Sequence, residues 1–398
     1  MIRRARPKYL LVSDIDKSKK VQTKLNEEIY LDRGSSALKF LLKCLVKFYK
    51  KEFTVCMQSF NCHTVLDSAL EVENIKVFLS DVKLEDYSIS LESIKDNAEK
   101  IDIVFLLHYQ GKINNEYDQI IKYCSENNII VIEDLAHINE SNFTIKGDYG
   151  IYSYSFDKPY TCMSGGKIIF KNEDDKILKF ILNEYYLLEY EDNKKSYLDI
   201  KILKYFLNYS SVEHYNSRVD NLIAAEKLLK FCSPKTTYNI LNNKFLSLGL
   251  KILFKIYFKV FKNNSIENYP ILRINDMKIY LIKQQSNRYF EKSKEYEKLQ
   301  NEIIVKLENL LKVAIDKKSE WNRISFIGIN KNLKLQNIEK GNFNWSVPLN
   351  KLYEKNPKVI LLDNYKNTEY LSKNIVNFPN WTSQIVNELY KKKEKNDK

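Results

Sequence analysis

Residues 134–166 place an acid, a lysine and two glycines in an order that suits covalent chemistry. Asp134 ends the apolar run Ile-Ile-Val-Ile-Glu-Asp, Lys158 follows a Ser- and Tyr-rich segment, and Gly165-Gly166 close the stretch. A carboxylate at a strand end can pair with a pyridinium nitrogen, and a lysine amine can form a Schiff base. Pyridoxal phosphate (PLP) requires both, so we predict a PLP site with Asp134 and Lys158 as catalytic residues.

The elements that must position these residues follow from the hydrophobic pattern. Residues 36–49 have the apolar spacing of a helix, and residues 116–126 carry a shorter helix. Short apolar runs indicate buried strands at residues 77–79, 101–107, 129–132 and 167–170. Strands and helices that alternate at this spacing are typical of a parallel α/β sheet.

The predicted fold class is therefore α/β, in two domains. A large domain with a mostly parallel sheet is predicted at residues 1–235. A smaller α+β domain is predicted at 236–398, with helical sequence near residues 276–313. Ligands of open sheets bind beyond the carboxyl ends of the strands, where Asp81, His108 and Asp134 fall. This position makes Asp81 a candidate for substrate binding. For Asp134 taken alone, the more common role of a strand-end Asp is to cap the following turn.

A phosphate site is indicated at the start of the first helix. Gly34-Ser35-Ser36 directly precedes the helical pattern, and backbone N–H groups and hydroxyls at a helix N-terminus suit a phosphate. An ordinary serine cap is the structural alternative. Ser153 is a further candidate hydroxyl. Six of the nine glycines lie between residues 34 and 166, as expected where backbone must approach a ligand closely.

The overall composition limits the class of partner. The formal net charge is +13, but lysines and arginines are spread along the chain rather than gathered in one block. We interpret the charge as a compositional bias that could help attract anionic small molecules, and we predict no nucleic-acid partner.

Cysteine spacing and hydropathy predict the compartment. The six cysteines form no CxxC pair, which gives no sign of a metal site, and their scatter suits a reducing compartment. The apolar run at residues 9–12 is too short for a signal peptide, and no run is long enough to span a membrane. We predict a cytoplasmic protein without an integral membrane segment.

Several segments together resemble one enzyme family, the DegT/DnrJ-type sugar aminotransferases. Arg33-Gly-Ser-Ser-Ala-Leu38 stands where that family carries Ser-Gly-Thr-Ala-Ala-Leu, and Glu133-Asp-Leu-Ala-His137 where it carries Glu-Asp-Ala-Ala followed by Gln or His. The family's Gly-Asp-x-Gly, Ser-Phe, lysine and Gly-Gly spacing is kept by Gly147-Asp-Tyr-Gly150, Ser153-Tyr154, Lys158 and Gly165-Gly166. The resemblance covers most of residues 30–235.

This resemblance implies the fold, the cofactor and the residue roles. The fold would be that of the fold type I PLP-dependent transferases, in a homodimer whose subunits share each active site. Lys158 would bind the cofactor and move protons, Asp134 would pair with the pyridine nitrogen, and His137 would contact the ring or its 3′-oxygen. The remaining roles are phosphate binding by Ser35, Ser36, Ser153 and the neighbouring subunit's Asn216, and an anion-facing substrate role for Arg218.

The chain also departs from the family pattern. Met163-Ser164 replaces a Gly-Glu pair, and Cys62 occupies the position of the aromatic residue that would stack on the cofactor ring, with Phe60 nearby as a possible substitute. The implied activity is amination of a keto group on a nucleotide-linked deoxysugar, with glutamate as the amino donor. A PLP-dependent sugar dehydratase and a degenerate member acting as a binding protein remain as alternatives. Relatives of the dehydratase kind replace the lysine, which this chain retains.

Overall fold

The computed structural model describes most of the chain between residues 9 and 379. The described residues are 9–19, 28–156, 158–171, 176–209, 228–229, 231–243, 245–246, 249, 270–311, 314–315, 323–327, 347–362 and 364–379. Their strands are β1 (Ile29–Leu31), β2 (Phe53–Gln58), β3 (Ile75–Ser80), β4 (Ile103–Leu107), β5 (Ile130–Asp134), β6 (Tyr149–Ser153), β7 (Gly166–Phe170), β8 (Arg323–Ile327), β9 (Val359–Ile360) and β10 (Ile375–Pro379).

The helices in the same part of the chain range from one turn to ten turns. They are α1 (Val12–Ser18), α2 (Gly34–Tyr49), α3 (His63–Leu70), α4 (Leu91–Lys95), α5 (Tyr117–Glu126), α6 (Lys176–Tyr186), α7 (Asn193–Tyr209), α8 (Pro234–Asn242), α9 (Asp276–Leu311), α10 (Leu349–Leu352) and α11 (Lys366–Asn374). None of the described helices is both long and apolar enough to cross a membrane.

One large sheet of eight strands organises the molecule. Its order is β1-β7-β6-β5-β4-β2-β3-β9, and only β7 runs antiparallel to its neighbours. The carboxyl ends of the other seven strands therefore meet at one edge, which we call the carboxyl edge. The prediction of a mostly parallel α/β sheet is confirmed, and the strand predicted at 167–170 is the antiparallel one.

Both faces of the sheet are buried under helices. Along β4, Ile103 and Phe105 join the core that includes residues of α2, α3 and α6, whereas Val104 and Leu106 join the core formed with α4 and α5. This alternation explains why the strand reads as a continuous apolar run. Each large apolar side chain buried in this way contributes about 1.5–3 kcal/mol.

The last third of the chain returns to the large sheet. β9 adds to the outer side of β3, where Val359 pairs with Val77, and a separate two-stranded sheet is formed by β8 and β10. The long helix predicted near residues 276–313 is confirmed as α9. The division at residue 235 stays a prediction, because later residues contribute both to the main sheet and to its core.

Candidate active site

The acid of the predicted pair ends the central strand β5. Asp134 lies opposite Leu107 of β4 and Ile151 of β6, with only 5% of its surface exposed. One carboxylate oxygen accepts the backbone N–H of Ala136 at 3.0 Å. Burial raises the pKa of the Asp134 carboxyl, and the nearby charge of Lys158 opposes that rise. The structure thus brings the two predicted catalytic residues within electrostatic reach of each other.

Lys158 lies on a closed loop that joins β6 to β7 across the carboxyl edge. The loop is pinned at its base by two backbone hydrogen bonds, from Tyr154 N to Gly165 O at 2.9 Å and from Cys162 N to Tyr154 O at 3.0 Å. Within the loop, Lys158 N donates to Ser155 O at 3.1 Å and forms a turn. Lys158 itself is half-buried.

The predicted phosphate cradle is assembled from the start of α2 and from the facing ends of β6 and β7. A Cβ on Gly34, the first residue of α2, would lie 2.8 Å from the Cβ of Ser153, and a Cβ on Gly166 would lie 2.3 Å from the backbone oxygen of Arg33. Only glycine permits these approaches. The N-terminus of α2 has no side-chain cap, so the backbone N–H groups of its first turn, which includes Ser35 and Ser36, have no partner within the helix.

His137 follows Asp134 at the same edge and is held in a defined orientation. It is buried, its Nδ1 accepts the backbone N–H of Gln110 at 3.2 Å, and its ring meets Tyr109 edge-on at 5.6 Å. Gln110 has a positive φ of 63°, which marks a sharp turn after β4. Because Nδ1 accepts, the proton of the neutral ring must lie on Nε2.

Glu133, the residue before Asp134, was not singled out from the sequence and proves to organise the strand end. One of its oxygens accepts the Tyr117 hydroxyl at 2.6 Å and the backbone N–H groups of Lys146 and Gly147 at 2.9 and 2.6 Å. The other oxygen lies 3.0 Å from Nε2 of His108. Glu133 is fully buried. In this Glu-Asp pair, the carboxylate of Glu133 therefore has a structural role, and the carboxylate of Asp134 faces the site.

A scan against protein-family models matches residues 23–230 to the DegT/DnrJ/EryC1/StrS aminotransferase family. That match spans more than half of the chain. The chain belongs to this family. The match begins before β1 and includes Asp134, Lys158, Ser153 and the start of α2, which are the residues whose geometry is described above.

Solved structures of similar fold include both aminotransferases and dehydratases. PseC of Helicobacter pylori, an aminotransferase involved in the biosynthesis of pseudoaminic acid, has a TM-score of 0.60 at 12% identity, over 97% of this chain and 96% of its own. The Escherichia coli GDP-4-keto-6-deoxy-D-mannose-3-dehydratase with bound hydrated PLP has a TM-score of 0.56 at 16% identity, over 97% of this chain and 91% of its own. At these identities the likeness establishes the fold alone.

The structure accounts for the two residues that replace the family's Gly-Glu pair. Met163 has a φ of 75°, a conformation that glycine adopts without strain. The hydroxyl of Ser164 accepts from the amine of Lys278 at 2.8 Å and donates to Asp199 at 3.2 Å, and Lys278 also contacts Glu191 at 3.0 Å. A glutamate at residue 164 would add a third carboxylate around one buried amine.

Two other predicted site residues, Phe60 and Cys62, contact neighbouring side chains of the protein. Phe60 is fully buried and meets Tyr109 edge-on at 5.5 Å, within a cluster that includes Leu371. Cys62 precedes α3, and its thiol lies 3.1 Å from the hydroxyl of Thr64. Their contact with a cofactor ring stays a prediction.

Asp81 lies at the carboxyl edge as predicted, but its carboxylate already has a structural task. Its two oxygens accept the backbone N–H groups of Asn367 at 3.1 Å and Thr368 at 2.8 Å, in the first turn of α11. Asp81 thus caps a helix that belongs to the end of the chain, and its substrate role stays a prediction. Asn216 and Arg218 lie outside the described residues. Within the described ranges, no cluster of His, Cys, Asp and Glu is suited to a metal ion.

Proposed function

We propose that this protein is a PLP-dependent aminotransferase that transfers the amino group of glutamate to a keto group of a nucleotide-linked deoxysugar. The observation that carries the proposal is a buried Asp134 within electrostatic reach of Lys158, in a structure where α2 begins without a side-chain cap against Ser153 at the same sheet edge. The family supports the reaction class, and the sugar aminotransferases among its structural neighbours support the substrate class.

The residues present fit the cofactor in their chemistry. A buried carboxylate is costly unless a positive charge faces it, and a protonated pyridine nitrogen would supply that charge to Asp134. The first turn of α2 and the hydroxyl of Ser153 would hold the phosphate. When bound, PLP supplies an electron sink for the bonds around the substrate carbon.

The remaining predicted residues follow from the same arrangement. Lys158 would carry the cofactor and move a proton between cofactor and substrate carbons, a role open to a partly buried amine at the edge of the site. His137 would offer its Nε2–H group as a donor to the ring or its 3′-oxygen. Homodimerisation would bring Asn216 and Arg218 from the partner into this site, in a cytoplasmic enzyme whose basic surface attracts anionic ligands.

The proposal is tested by absorbance and then by amine transfer. Purified protein should develop a visible-range absorbance band on titration with PLP, and glutamate should lower that band. Lys158→Ala should abolish the band and the activity. Lys122→Ala is a matched control, because Lys122 is exposed and forms a surface pair with Glu126. A panel of keto-sugar nucleotides with glutamate should then yield an aminated product.

Other outcomes would identify the alternatives. A visible band that glutamate does not change, together with loss of a hydroxyl group from a keto-sugar nucleotide, would indicate a dehydratase. If PLP produces no band and Lys158→Ala changes nothing, the enzyme proposal fails and a binding role becomes the better interpretation.

A further inference from the structure

We propose that the long helix α9 positions the lysine loop, with Gln285 as the main positioning residue and Lys278 as a second support. The contacts between α9 and the loop are present in the structure, and only their effect on catalysis rests on the proposed function. The loop is the segment from Tyr154 to Gly165 that carries Lys158.

Gln285 binds both backbone groups of one loop residue. Its side-chain oxygen accepts the N–H of Thr161 at 3.0 Å, and its side-chain nitrogen donates to the carbonyl of Thr161 at 2.8 Å. Both residues are fully buried. Water cannot replace such contacts easily, so loss of the Gln285 amide would leave two buried backbone groups without this partner.

Lys278, two turns earlier on the same helix, contacts the loop near its C-terminal end. Its amine donates to Ser164 at 2.8 Å and forms ion pairs with Glu191 at 3.0 Å and Asp199 at 2.5 Å. These three acceptors match the three N–H bonds of an ammonium group. Because Lys278 is fully buried and paired, its position is fixed, and Ser164 is fixed with it.

A third contact joins the same helix to the same loop. Ser286 on α9 lies 2.9 Å from the hydroxyl of Ser141, which in turn lies 2.6 Å from the hydroxyl of Tyr160. The helix therefore reaches three loop residues after Lys158, namely Tyr160, Thr161 and Ser164. A catalytic amine must be held close to its reacting atoms, and small displacements are costly. The helix supplies that restraint from outside the sheet.

The first experiment needs no cofactor. Hydrogen exchange of the peptide that covers residues 154–165 is measured by mass spectrometry in the apoprotein. Gln285→Leu should speed exchange at Thr161 about tenfold, the size expected for losing one hydrogen bond. Gln300→Leu is the control, since Gln300 is also buried on α9 but lies about 22 Å further along the helix. This control should leave exchange in the loop unchanged.

The second experiment separates positioning from general stability. In the PLP-loaded protein, Gln285→Leu should lower kcat about tenfold while KM for glutamate stays within about twofold, because binding groups elsewhere are intact. Gln285→Glu keeps an acceptor for Thr161 N–H but turns its second oxygen towards the carbonyl oxygens of Thr161 and Leu281, so it should lower kcat as well. Ser164→Ala is a milder variant that detaches the loop from Lys278 and leaves its ion pairs in place; it should lower kcat less.

The outcomes distinguish this inference from the proposed function. If wild-type protein gives no visible band with PLP, the proposed function fails, and the exchange result still judges the helix contact. If the band forms but Gln285→Leu matches Gln300→Leu in both exchange and kcat, the positioning role is wrong. If Gln285→Leu does not fold, Gln285→Glu and Ser164→Ala decide: wild-type kcat in both overturns the inference.

Discussion

The two halves of the carboxyl edge use the same kind of residue for different purposes. At β5 and β6, the strand-end residues Asp134 and Ser153 lie beside the loop that carries Lys158, and Lys158 is within electrostatic reach of Asp134. At β2 and β3, polar groups at strand ends hold the last part of the chain: Ser59 binds Asn350 at 2.8 Å, and Asp81 caps α11. Position at a strand end is therefore not enough to define a site residue.

The difference depends on what packs above each half. The half at β2 and β3 is covered by α10 and α11, whose free backbone N–H groups need acceptors. The half at β5 and β6 is crossed by the lysine loop, which α9 supports through Gln285 and Lys278. Substitution of a strand-end residue that binds the C-terminal segment should change stability, whereas substitution of one that faces the lysine loop should change activity.

Asp134→Asn should have the largest effect and the clearest separation of activity from stability. Loss of the negative charge that we propose faces the cofactor nitrogen should lower kcat by about 10²–10³-fold. The side-chain oxygen of asparagine can still accept the Ala136 N–H. Transamination rates of the variant and of Asp118→Asn, an exposed control, would check this. Equal rates for Asp134→Asn and wild type would contradict the assignment.

The same variant should stabilise the apoprotein at neutral pH. Burial raises the pKa of Asp134 in the folded state, so the folded state binds more protons than the unfolded state between the ordinary and the raised pKa. Stability from this group is then highest at low pH and falls as pH rises through the folded pKa. Asparagine lacks this penalty, so its gain of about 1 kcal/mol should be present at pH 7 and shrink as pH falls toward about 4. Urea unfolding at several pH values measures it.

Glu133→Gln should lower the stability of the protein, whereas Asp134→Asn should raise it. Glutamine cannot accept from all four donors that face the carboxylate, and its NH₂ group must meet some of them. The free energy of unfolding should fall by about 2–3 kcal/mol. Urea unfolding of this variant is compared with Glu126→Gln, whose side chain is exposed. If Glu133→Gln were as stable as the control, the structural role of this carboxylate would be wrong.

Asp81→Ala tests the half of the carboxyl edge that α10 and α11 cover. Loss of the cap on α11 should cost about 1 kcal/mol, while KM for the sugar substrate stays unchanged. The exposed Asp96, changed to Ala, serves as the control for a surface carboxylate. A rise in KM for the sugar without a loss of stability would instead restore Asp81 to the substrate site.

An element of the fold could be predicted from the sequence only where that element has a recognisable local pattern of residues. The strands β3, β4, β5 and β7 and the helices α2, α5 and α9 appear as apolar runs or helical spacing, and they are confirmed. The two-residue strand β9 has no such pattern, because its pairing with β3 joins residues far apart in the chain. The cap that Asp81 provides for α11 cannot be seen in the sequence for the same reason, because Asn367 and Thr368 lie 286 and 287 residues later.

The residues of the candidate site also fall into two groups, those that the sequence could predict and those that it could not. The location of Asp134, Lys158 and the glycines of the predicted cradle at the carboxyl edge was predictable from their residue types and spacing, whereas their roles stay predictions. Glu133, Gln285 and Lys278 were not predictable, because a buried polar residue is visible in sequence only as an interruption of an apolar pattern. Glu133 does interrupt the run before Asp134, and that interruption was the available signal.

Met163→Gly should have the smallest effect, and it tests how far the lysine loop is strained. An L-residue at a φ of 75° costs about 1–2 kcal/mol relative to glycine. The methionine side chain packs partly against the core, so its loss offsets much of that gain. The net change in the free energy of unfolding should be a gain below about 1 kcal/mol.

Met163→Ala separates the two contributions, because alanine loses the packing and keeps the strained backbone. Glycine should therefore be more stable than alanine at this position, the reverse of their order inside a helix. Thermal unfolding of both variants measures that order, and alanine above glycine would show that the loop relaxes its backbone. Such relaxation would also weaken the distinction between the two halves of the edge, since a loop free to adjust would not hold Lys158 in one place.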